Sequence, residues 1–439
     1  MVIPGTRFVS LRGIKMISEK AVCIDRDVNI HLENKGISRS FFWFIWVLYA
    51  VVCMTKNCYS GALASIVSEG VLTKSQTGFI SAMFYLVYTP LQIVGGFLCD
   101  RKSPELLIKI GLLGAAISNT VIFFCQNYYV MLAAWIFNGI VQFGIWPSVF
   151  KIVSSQLVRS ERSNMVFYLS FSGLSGPILS FLVAAVVPNW KYNFAISAIS
   201  LLFFLVALHF IEKSLAPHMK WDKEEESSPE KEEKQAKPPM LKIFLASGFF
   251  VMLIGMLPAV VVSQTRSVLT SIMFVENYDS VAPSLGNILT SVMLIAGMAG
   301  TVLARKIMSR IKNEVAFIAV ISLLKLPFLA VCVLVGTLPI SSIIVCFSLV
   351  ACFEAIESLS KNYYTVYFSK YRLNGAAAGI LNAGNALAYT IAGYVMPLIV
   401  EKFGWTTLLI LLPLLIVFST VCFSLIIKRF KAFKEEALQ

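Results

Sequence analysis

The stretch KEEESSPEKEEKQAKPP, residues Lys223–Pro239, interrupts a chain of 439 residues that is otherwise strongly apolar. Charges of both signs alternate along this stretch and it has no apolar face, which is typical of a solvated linker. Six apolar runs precede it and six follow it. The sequence is therefore predicted to fold as two halves of comparable length that are joined by a polar connection.

Each apolar run is long enough to cross a hydrocarbon core of about 30 Å at a helical rise of about 1.5 Å per residue. The predicted fold class is an all-α membrane protein, with twelve transmembrane helices in two pseudo-symmetric six-helix bundles. The predicted spans are residues 41–66, 76–98, 105–125, 128–156, 163–187, 190–212, 240–275, 283–307, 314–336, 341–368, 374–399 and 404–428.

The spans and the linker divide the chain into five predicted segments. An even number of spans places both termini on the same side of the membrane, together with the linker. The segments are an N-terminal tail (1–40), an N-terminal bundle (41–212), the charged linker (213–239), a C-terminal bundle (240–428) and a C-terminal tail (429–439).

The composition agrees with lipid as the main solvent of the chain. Hydrophobic residues make up 57% of it and charged residues only 14%, with a mean hydropathy of +0.77. A water-soluble protein needs more charge than this to cover its surface. The nine cysteines lie mostly inside apolar runs, which indicates small buried side chains, and the three histidines are scattered. We therefore expect no disulfide framework, no metal site and no cofactor.

The placement of the basic residues explains a net charge of +13 without nucleic acid. Lys and Arg crowd the N-terminal tail and the connections that follow every second apolar run. The alternate connections contain only three basic residues, Lys74, Lys191 and Lys402. This asymmetry predicts that both termini are cytoplasmic. The first forty residues lack the pattern of a cleaved signal peptide, so we expect none. The expected location is a bacterial inner membrane, and the lack of an N-x-S/T sequon fits it.

A short motif between spans two and three resembles a known family. Gly96-Phe97-Leu98-Cys99-Asp100-Arg101 is similar to the G-x-x-x-D-R core of a loop in the major facilitator superfamily. The resemblance implies that Asp100 and Arg101 form a latch on the cytoplasmic side of the protein. Asp100 would accept hydrogen bonds from a helix N-terminus, and Arg101 would anchor at the lipid headgroups. The counterpart Gly300–Arg305 in the second half keeps the glycine and the arginine but lacks the aspartate.

Three further stretches resemble the organophosphate:phosphate antiporters, which include the glycerol-phosphate and hexose-phosphate carriers. They are Lys56–Leu63 (KNCYSGAL), Trp146-Pro147-Ser148 with Lys151, and Thr265-Arg266-Ser267. The resemblance implies a carrier that exchanges a phosphorylated metabolite for inorganic phosphate by alternating access. The chain departs from the family where Lys56 replaces an arginine, and where Gln92 and Ser170 replace a lysine and a histidine found in some members.

Lys56 and Arg266 are the candidate anion-binding residues. Each lies about ten residues from the outer end of its span, which is roughly 15 Å deep and near the midplane. An unpaired cation at this depth costs at least ~2.5 kcal/mol and needs an explanation. Spans one and seven are pseudo-equivalent, so the two cations are expected to clamp an anion between the halves. The alternative is that each cation pairs with an acid or reaches the interface, although spans one and seven hold no acid at this depth.

Span ten contains Glu354, Glu357 and Lys361, which lie near one helical face because they are three and four residues apart. One interpretation is that a carboxylate of this group couples transport to protons. The other is an internal Glu357–Lys361 pair, with Glu354 facing Lys325 of span nine. Both interpretations follow from the sequence. Lys151 lies closer to the cytoplasmic end of span four, where it either contributes to the site or reaches the interface.

Several further side chains are expected to border the central cavity. Aromatic residues can pack on the body of a substrate while a phenol or indole binds its polar head, although most aromatic residues in membranes only pack. The remaining substrate-binding candidates are Tyr59, Tyr88, Trp146, Ser170 and Tyr389.

The predicted function is secondary active transport of a small organic anion, not enzymatic catalysis. The expected partners are that anion and the lipid bilayer, with no nucleic acid, and the protein is expected to work as a monomer. One alternative is a proton-coupled symporter of a carboxylate or sugar acid, in which Glu354 or Glu357 titrates. Another is a transporter-like sensor that binds a sugar phosphate and signals to a partner. The positive charges of the cavity disfavour export of lipophilic cations.

Overall fold

The computed structural model describes residues 28–32, 34–158, 160–223, 240–308, 310–371 and 373–438. In this part of the chain, two short strands accompany a set of long helices. The elements are β1 (Val28–Leu32), α1 (Lys35–Ser68), α2 (Lys74–Arg101), α3 (Pro104–Phe124), α4 (Tyr128–Val141), α5 (Ile145–Lys151), α6 (Arg162–Val186), α7 (Lys191–Leu215), β2 (Met219–Lys223), α8 (Met240–Ser247), α9 (Phe249–Asn277), α10 (Pro283–Met308), α11 (Glu314–Cys332), α12 (Ile340–Val366) and α13 (Asn374–Leu438).

These helices confirm the predicted all-α fold with twelve spans. Ten helical segments of the described chain are long and apolar enough to cross a membrane. One of them, Ala376–Glu436, contains the eleventh and twelfth predicted spans, which are separated by the non-helical Gly404 at φ 81°. The second predicted span is α2, and the fourth consists of α4, α5 and the π-helical turn Ile152–Gln156.

Local sequence signals place the ends of several helices. Thr73 and Gln76 form a reciprocal capping box at the start of α2, which satisfies backbone N–H groups that the helix leaves free. Asn34 caps α1 and Asn313 caps α11 in a similar way. These N-caps mark where the helices begin: α2 and α11 begin within two residues of the predicted spans, while α1 begins at Lys35, before its predicted span.

Small residues let the helices of each bundle approach closely. A side chain at Gly176 of α6 would overlap Cys53 of α1, and one at Gly300 of α10 would overlap the backbone of Cys352 in α12. In lipid, helix association depends on such close packing, because apolar side chains are buried equally well against lipid tails and against another helix. The glycines therefore fix the distances between the helices that surround the site.

The two halves meet along α2 and α13, along α6 and α10, and where α1 approaches α9 and α10. We call the end of the molecule that holds β1 and β2 the linker end and the opposite end the far end. Near the far end, a side chain at Gly78 would overlap the backbone oxygen of Gly393. The amide of Asn287 also donates to the carbonyl of Gly61 at 3.0 Å. The halves are thus closely packed towards the far end.

A two-stranded ribbon at the linker end is a feature that the all-α prediction missed. Strands β1 and β2 pair in antiparallel fashion, with Val28 opposite Lys223 and Leu32 opposite Met219. The ribbon joins the N-terminal tail to the start of the linker, while residues 1–27 and 224–239 lie outside the described part. In addition, α13 remains helical through residues 429–438 of the predicted C-terminal tail.

Candidate functional site

Lys56 on α1 is held by a tyrosine of the neighbouring helix. Its Nζ donates to the Tyr88 hydroxyl on α2 at 2.7 Å and lies 4.4 Å from the centroid of the same ring. The amide of Gln92, one turn further along α2, donates to that hydroxyl at 2.5 Å. Since the hydroxyl already accepts two hydrogen bonds, its own proton is free to donate to an added acceptor.

No carboxylate of the described residues forms an ion pair with Lys56. The side chain is partly buried, and its Nζ lies 6.0 Å from the centroid of the Tyr49 ring. Tyr49 in turn packs on Trp146, with ring centroids 5.0 Å apart. Trp146 therefore supports the lysine through Tyr49, while Lys56 keeps donors that an anion can use.

The tyrosines of α2 also reach the C-terminal half. Tyr85 packs on Tyr389 of α13 with ring centroids 5.2 Å apart, and its hydroxyl interacts with the side chain of Gln264 on α9. Tyr85 is one turn from Tyr88. The Lys56 group thus borders the contact between the halves, close to the helix that holds Arg266.

Arg266 forms a buried ion pair with Glu354 of span ten. Its Nη2 and Nε donate to the same oxygen, Oε2, at 2.6 and 3.0 Å, and Ser263 donates to that oxygen at 3.0 Å. The side chains of Arg266 and Glu354 are 5% and 7% exposed. Spans one and seven hold no acid at this depth, and the carboxylate that pairs with Arg266 comes from span ten. Lys56 and Arg266 thus have different partners, Tyr88 and Glu354.

Glu357 joins two lysines. It forms an ion pair with Lys325 of α11 and another with Lys361, whose Nζ lies 2.7 Å away. The predicted Glu357–Lys361 pair is confirmed, whereas the predicted pairing of Glu354 with Lys325 is wrong. The reason is helical geometry: Glu354 and Glu357 are about 60° apart around the helix axis, so one faces α9 and the other faces α11.

These buried groups leave an excess of positive charge. Four basic side chains, Lys56, Arg266, Lys325 and Lys361, accompany two carboxylates, Glu354 and Glu357. The described residues contain no cluster of His, Cys, Asp and Glu that would hold a metal ion. The arrangement can bind and release an anion, and it contains no nucleophile with an activating base.

Two predicted substrate contacts have other surroundings. Tyr59 is only 1% exposed and packs in the core of the N-terminal half against Trp135 and Phe194, at 5.2 and 6.3 Å. Its hydroxyl has no hydrogen-bond partner among the described residues. Ser170 is exposed on α6. Among the described residues, no hydrogen bond joins either side chain to Lys56, Tyr88 or Gln92.

The candidates near the linker end lie apart from the Lys56 and Arg266 groups. Lys151 donates to the carbonyl of Cys99 at 2.6 Å, which ties α5 to the end of α2. Arg101 ends α2 and is exposed, as a headgroup anchor would be. The side chain of Asp100 lies outside the described residues, so the predicted latch stays a prediction.

Sequence reasoning missed several members of the site. The sequence marks Gln92 only as a departure from the family, and it predicts no role for Ser263 or Gln264. The available signal was helical spacing, because Gln92 is four residues from Tyr88 and Ser263 is three residues from Arg266. A polar residue one turn from a buried charge is a candidate partner.

Two bundles of six helices with buried charges beside their interface define the class of secondary transporters. The sequence profile of the Major Facilitator Superfamily matches residues 45–374, and the chain belongs to this superfamily. The structure of a bacterial homologue of the human lysosomal transporter Spinster, inward-facing and unoccupied, has a TM-score of 0.69 at 13% identity. That comparison covers 92% of this chain and 98% of the other, and it supports the fold alone. The predicted superfamily and the integral membrane fold are confirmed.

The curated relatives include proteins linked to phosphorylated sugars. The chain is 23% identical over 150 residues to the membrane sensor protein UhpC of Escherichia coli K12, covering 34% of each protein. It is 24% identical over 155 residues to a probable hexose phosphate transport protein of Chlamydia pneumoniae, again 34% of each. A D-galactonate transporter of Escherichia coli CFT073 is 24% identical over 172 residues, 38% of this chain and 40% of the relative. The matches thus span about a third of these relatives, and the predicted resemblance to organophosphate carriers is confirmed.

Proposed function

We propose that this transporter exchanges a phosphorylated metabolite for inorganic phosphate across a bacterial inner membrane. It works as a monomer by alternating access, with both termini in the cytoplasm. The observation that carries the proposal is Lys56, a cation in the middle of a span whose neighbours are aromatic and neutral. A cation in such a place is costly unless a ligand compensates for it.

The hydrogen bonds around Lys56 support an anionic ligand. The ammonium group has donors beyond the one used for Tyr88, and the Tyr88 hydroxyl has a free proton. One oxygen of an anion can accept from both groups. A phosphate monoester also has further oxygens for a planar guanidinium such as that of Arg266.

The charge of the site supports a dianion over a neutral sugar. The buried basic side chains outnumber the carboxylates by two, which matches the charge of a phosphate monoester near neutral pH. The hexose phosphate transport protein among the relatives points to the same substrate class. The closely packed far end would open when the halves rock, while the linker end closes through the Asp100–Arg101 loop.

Counterflow in proteoliposomes tests this function. Vesicles that contain the protein and labelled inorganic phosphate are diluted into buffer with or without a hexose phosphate or glycerol phosphate. We expect phosphate efflux to depend on the external organophosphate, and Lys56→Gln to reduce it at least ~10-fold. Lys109→Gln is the matched control, because Lys109 pairs with Glu212 inside one half. Uptake that needs a proton gradient and no counter-anion would overturn the exchange mechanism.

A second candidate is proton-coupled symport of a carboxylate or sugar acid. The specific observation in its favour is that Glu354 Oε1 is buried and has no hydrogen-bond partner among the described residues, so it is a possible site for a proton. The D-galactonate transporter among the relatives is named for such a substrate. Binding of a phosphorylated ligand without flux would instead favour a sensor, as the name of UhpC suggests for that protein.

A further inference from the structure

The Arg266–Glu354 pair has an unusual geometry for a purely structural ion pair. Both guanidinium donors and the Ser263 hydroxyl converge on Oε2 of Glu354. The other oxygen, Oε1, is buried and lacks a hydrogen-bond partner among the described residues. Arginine–carboxylate pairs are frequently bidentate, with one hydrogen bond to each oxygen, and this arrangement is the stronger one. This pair is therefore not built for maximum strength.

The two cations also differ in what compensates them. Lys56 in the N-terminal half has only neutral partners, while Arg266 is neutralised by a carboxylate from its own half. An anion that binds between the halves thus finds one cation available and the other already occupied. Arg266 becomes available only if Glu354 leaves it.

We propose that Glu354 is a displaceable internal counter-anion, which holds Arg266 while the site is empty and yields it to the substrate anion. The inference rests on the proposed function, because it requires an anionic substrate. It adds a role to Glu354 that proton coupling does not require. The carboxylate acts by competing for Arg266, and its release is part of substrate binding.

The displaced Glu354 carboxylate can pair with another buried cation. The nearby charged groups are Glu357 and Lys361 on the same helix and Lys325 on α11. Glu357 alone compensates two lysines, so this cluster keeps an excess positive charge. Lys361 lies two turns beyond Glu354, about 10 Å along the axis and on nearly the same side, within the combined reach of both side chains. Glu354 can thus exchange one cation for another without leaving the protein interior.

Competition has two consequences for the transport cycle. Because Glu354 occupies Arg266 for part of the time, the apparent substrate affinity equals the intrinsic affinity multiplied by the fraction of time that Arg266 is free. On release, the returning carboxylate displaces the anion and speeds its departure. Removal of the charge should therefore tighten binding and slow exchange at the same time.

Glu354→Gln tests the inference by calorimetric binding of inorganic phosphate, glycerol 3-phosphate and gluconate, combined with exchange in proteoliposomes. We expect the affinity for the transported anion to rise about tenfold or more, KM to fall and the turnover to fall. Glu354→Asp keeps the negative charge, so its affinity and turnover should stay close to those of the wild type. Glu212→Gln, which lies in the other half beside Lys109, is the matched control and should change neither value.

The outcomes separate this inference from the proposed function. If Glu354→Gln binds phosphate as well as the wild type or more weakly, Glu354 is not a displaceable counter-anion. The proposed transport function then remains intact, provided that the wild type binds phosphate. If the wild type binds gluconate and not phosphate, the proposal of phosphate exchange is wrong. Tighter gluconate binding by Glu354→Gln would even then support Glu354 as a displaceable counter-anion. The double variant Arg266→Gln/Glu354→Gln should bind less tightly than either the wild type or Glu354→Gln. If it binds as the wild type does, the pair is structural and the inference fails.

Discussion

The Nζ of Lys74 lies 2.7 Å from an oxygen of Glu276, and this ion pair joins the two halves at the far end. Lys74 begins α2 and Glu276 lies at the end of α9. The indole of Trp405 donates to the same glutamate at 2.8 Å, and the backbone N–H of Ser75 donates to Glu401 at 2.7 Å. Two glutamates of the C-terminal half, Glu276 and Glu401, thus hold the first turn of α2, and Trp405 holds Glu276 in place.

Lys74→Ala should shift the protein towards states that are open at the far end. The pair is partly exposed, at 22% and 29%, so its loss is worth up to ~1 kcal/mol, which is a change of up to about fivefold in population. Spin labels at Ser68 and Ser280, in a cysteine-free background, would report this as a larger fraction of long distances. Lys109→Ala removes a similar pair inside one half and should leave the distances unchanged. An equal shift in both variants would show that Lys74 has no special role in closure.

Gly78→Ala should separate α2 from α13. A methyl group at this position would overlap the backbone oxygen of Gly393 and the ring of Pro397, and backbone atoms cannot move aside at low cost. We expect a lower apparent melting temperature and slower transport. Gly379→Ala on α13 is the control, because no atom lies within 4 Å of the added carbon. Normal transport and stability in Gly78→Ala would mean that the halves are not packed this closely in the membrane.

Glu357→Gln should destabilise the protein strongly. The change leaves Lys325 and Lys361 buried without their carboxylate, and breaking a buried pair in this way costs about 3–5 kcal/mol. The measurement is the apparent melting temperature in detergent. Glu435→Gln removes a pair that is 70% and 64% exposed, and it should leave the melting temperature unchanged. A stable Glu357→Gln would indicate that one of the lysines is uncharged in the fold.

Tyr88→Phe should weaken anion binding while it leaves the fold intact. The phenyl ring keeps its packing, but Lys56 loses its acceptor and the anion loses a donor, which corresponds to roughly a five- to tenfold loss of affinity. Equilibrium binding of glycerol phosphate is the measurement. Tyr129→Phe is the control because that side chain is 74% exposed. Equal affinities of Tyr88→Phe and the wild type would place the anion elsewhere.

Much of the fold follows from the sequence because lipid imposes simple rules. Spans must be apolar and about twenty residues long, so the twelve helices and the polar linker could be located by length and composition. Lys56 stood out for the same reason, since a cation far from both ends of a span is costly. The ribbon of β1 (VNIHL) and β2 (MKWDK) shows only a five-residue alternation of apolar and polar side chains, which is a much weaker signal than an apolar span of about twenty residues.

The partners of the charged residues could not be predicted, because they depend on how the helices are rotated against each other. Arg266 and Glu354 are separated by 88 residues, and only the packed bundle brings them together. On α12, a rotation of about 60° decides whether a glutamate faces α9 or α11, which is why Lys325 pairs with Glu357 and not with Glu354. The contact of Lys74 with Glu276 forms only when the two halves are closed at the far end. It therefore depends on the conformation of the transporter as well as on its fold.

Calorimetric binding of inorganic phosphate and a hexose phosphate to the wild type, Lys56→Gln and Lys109→Gln is the most direct test of Lys56 as an anion-binding residue. We expect the wild type and Lys109→Gln to bind these ligands with the same affinity. We expect Lys56→Gln, with an unchanged melting temperature, to bind them at least ~10-fold more weakly. Equal affinities in Lys56→Gln and the wild type, or binding of carboxylates alone, would contradict the claim that Lys56 receives a phosphorylated anion.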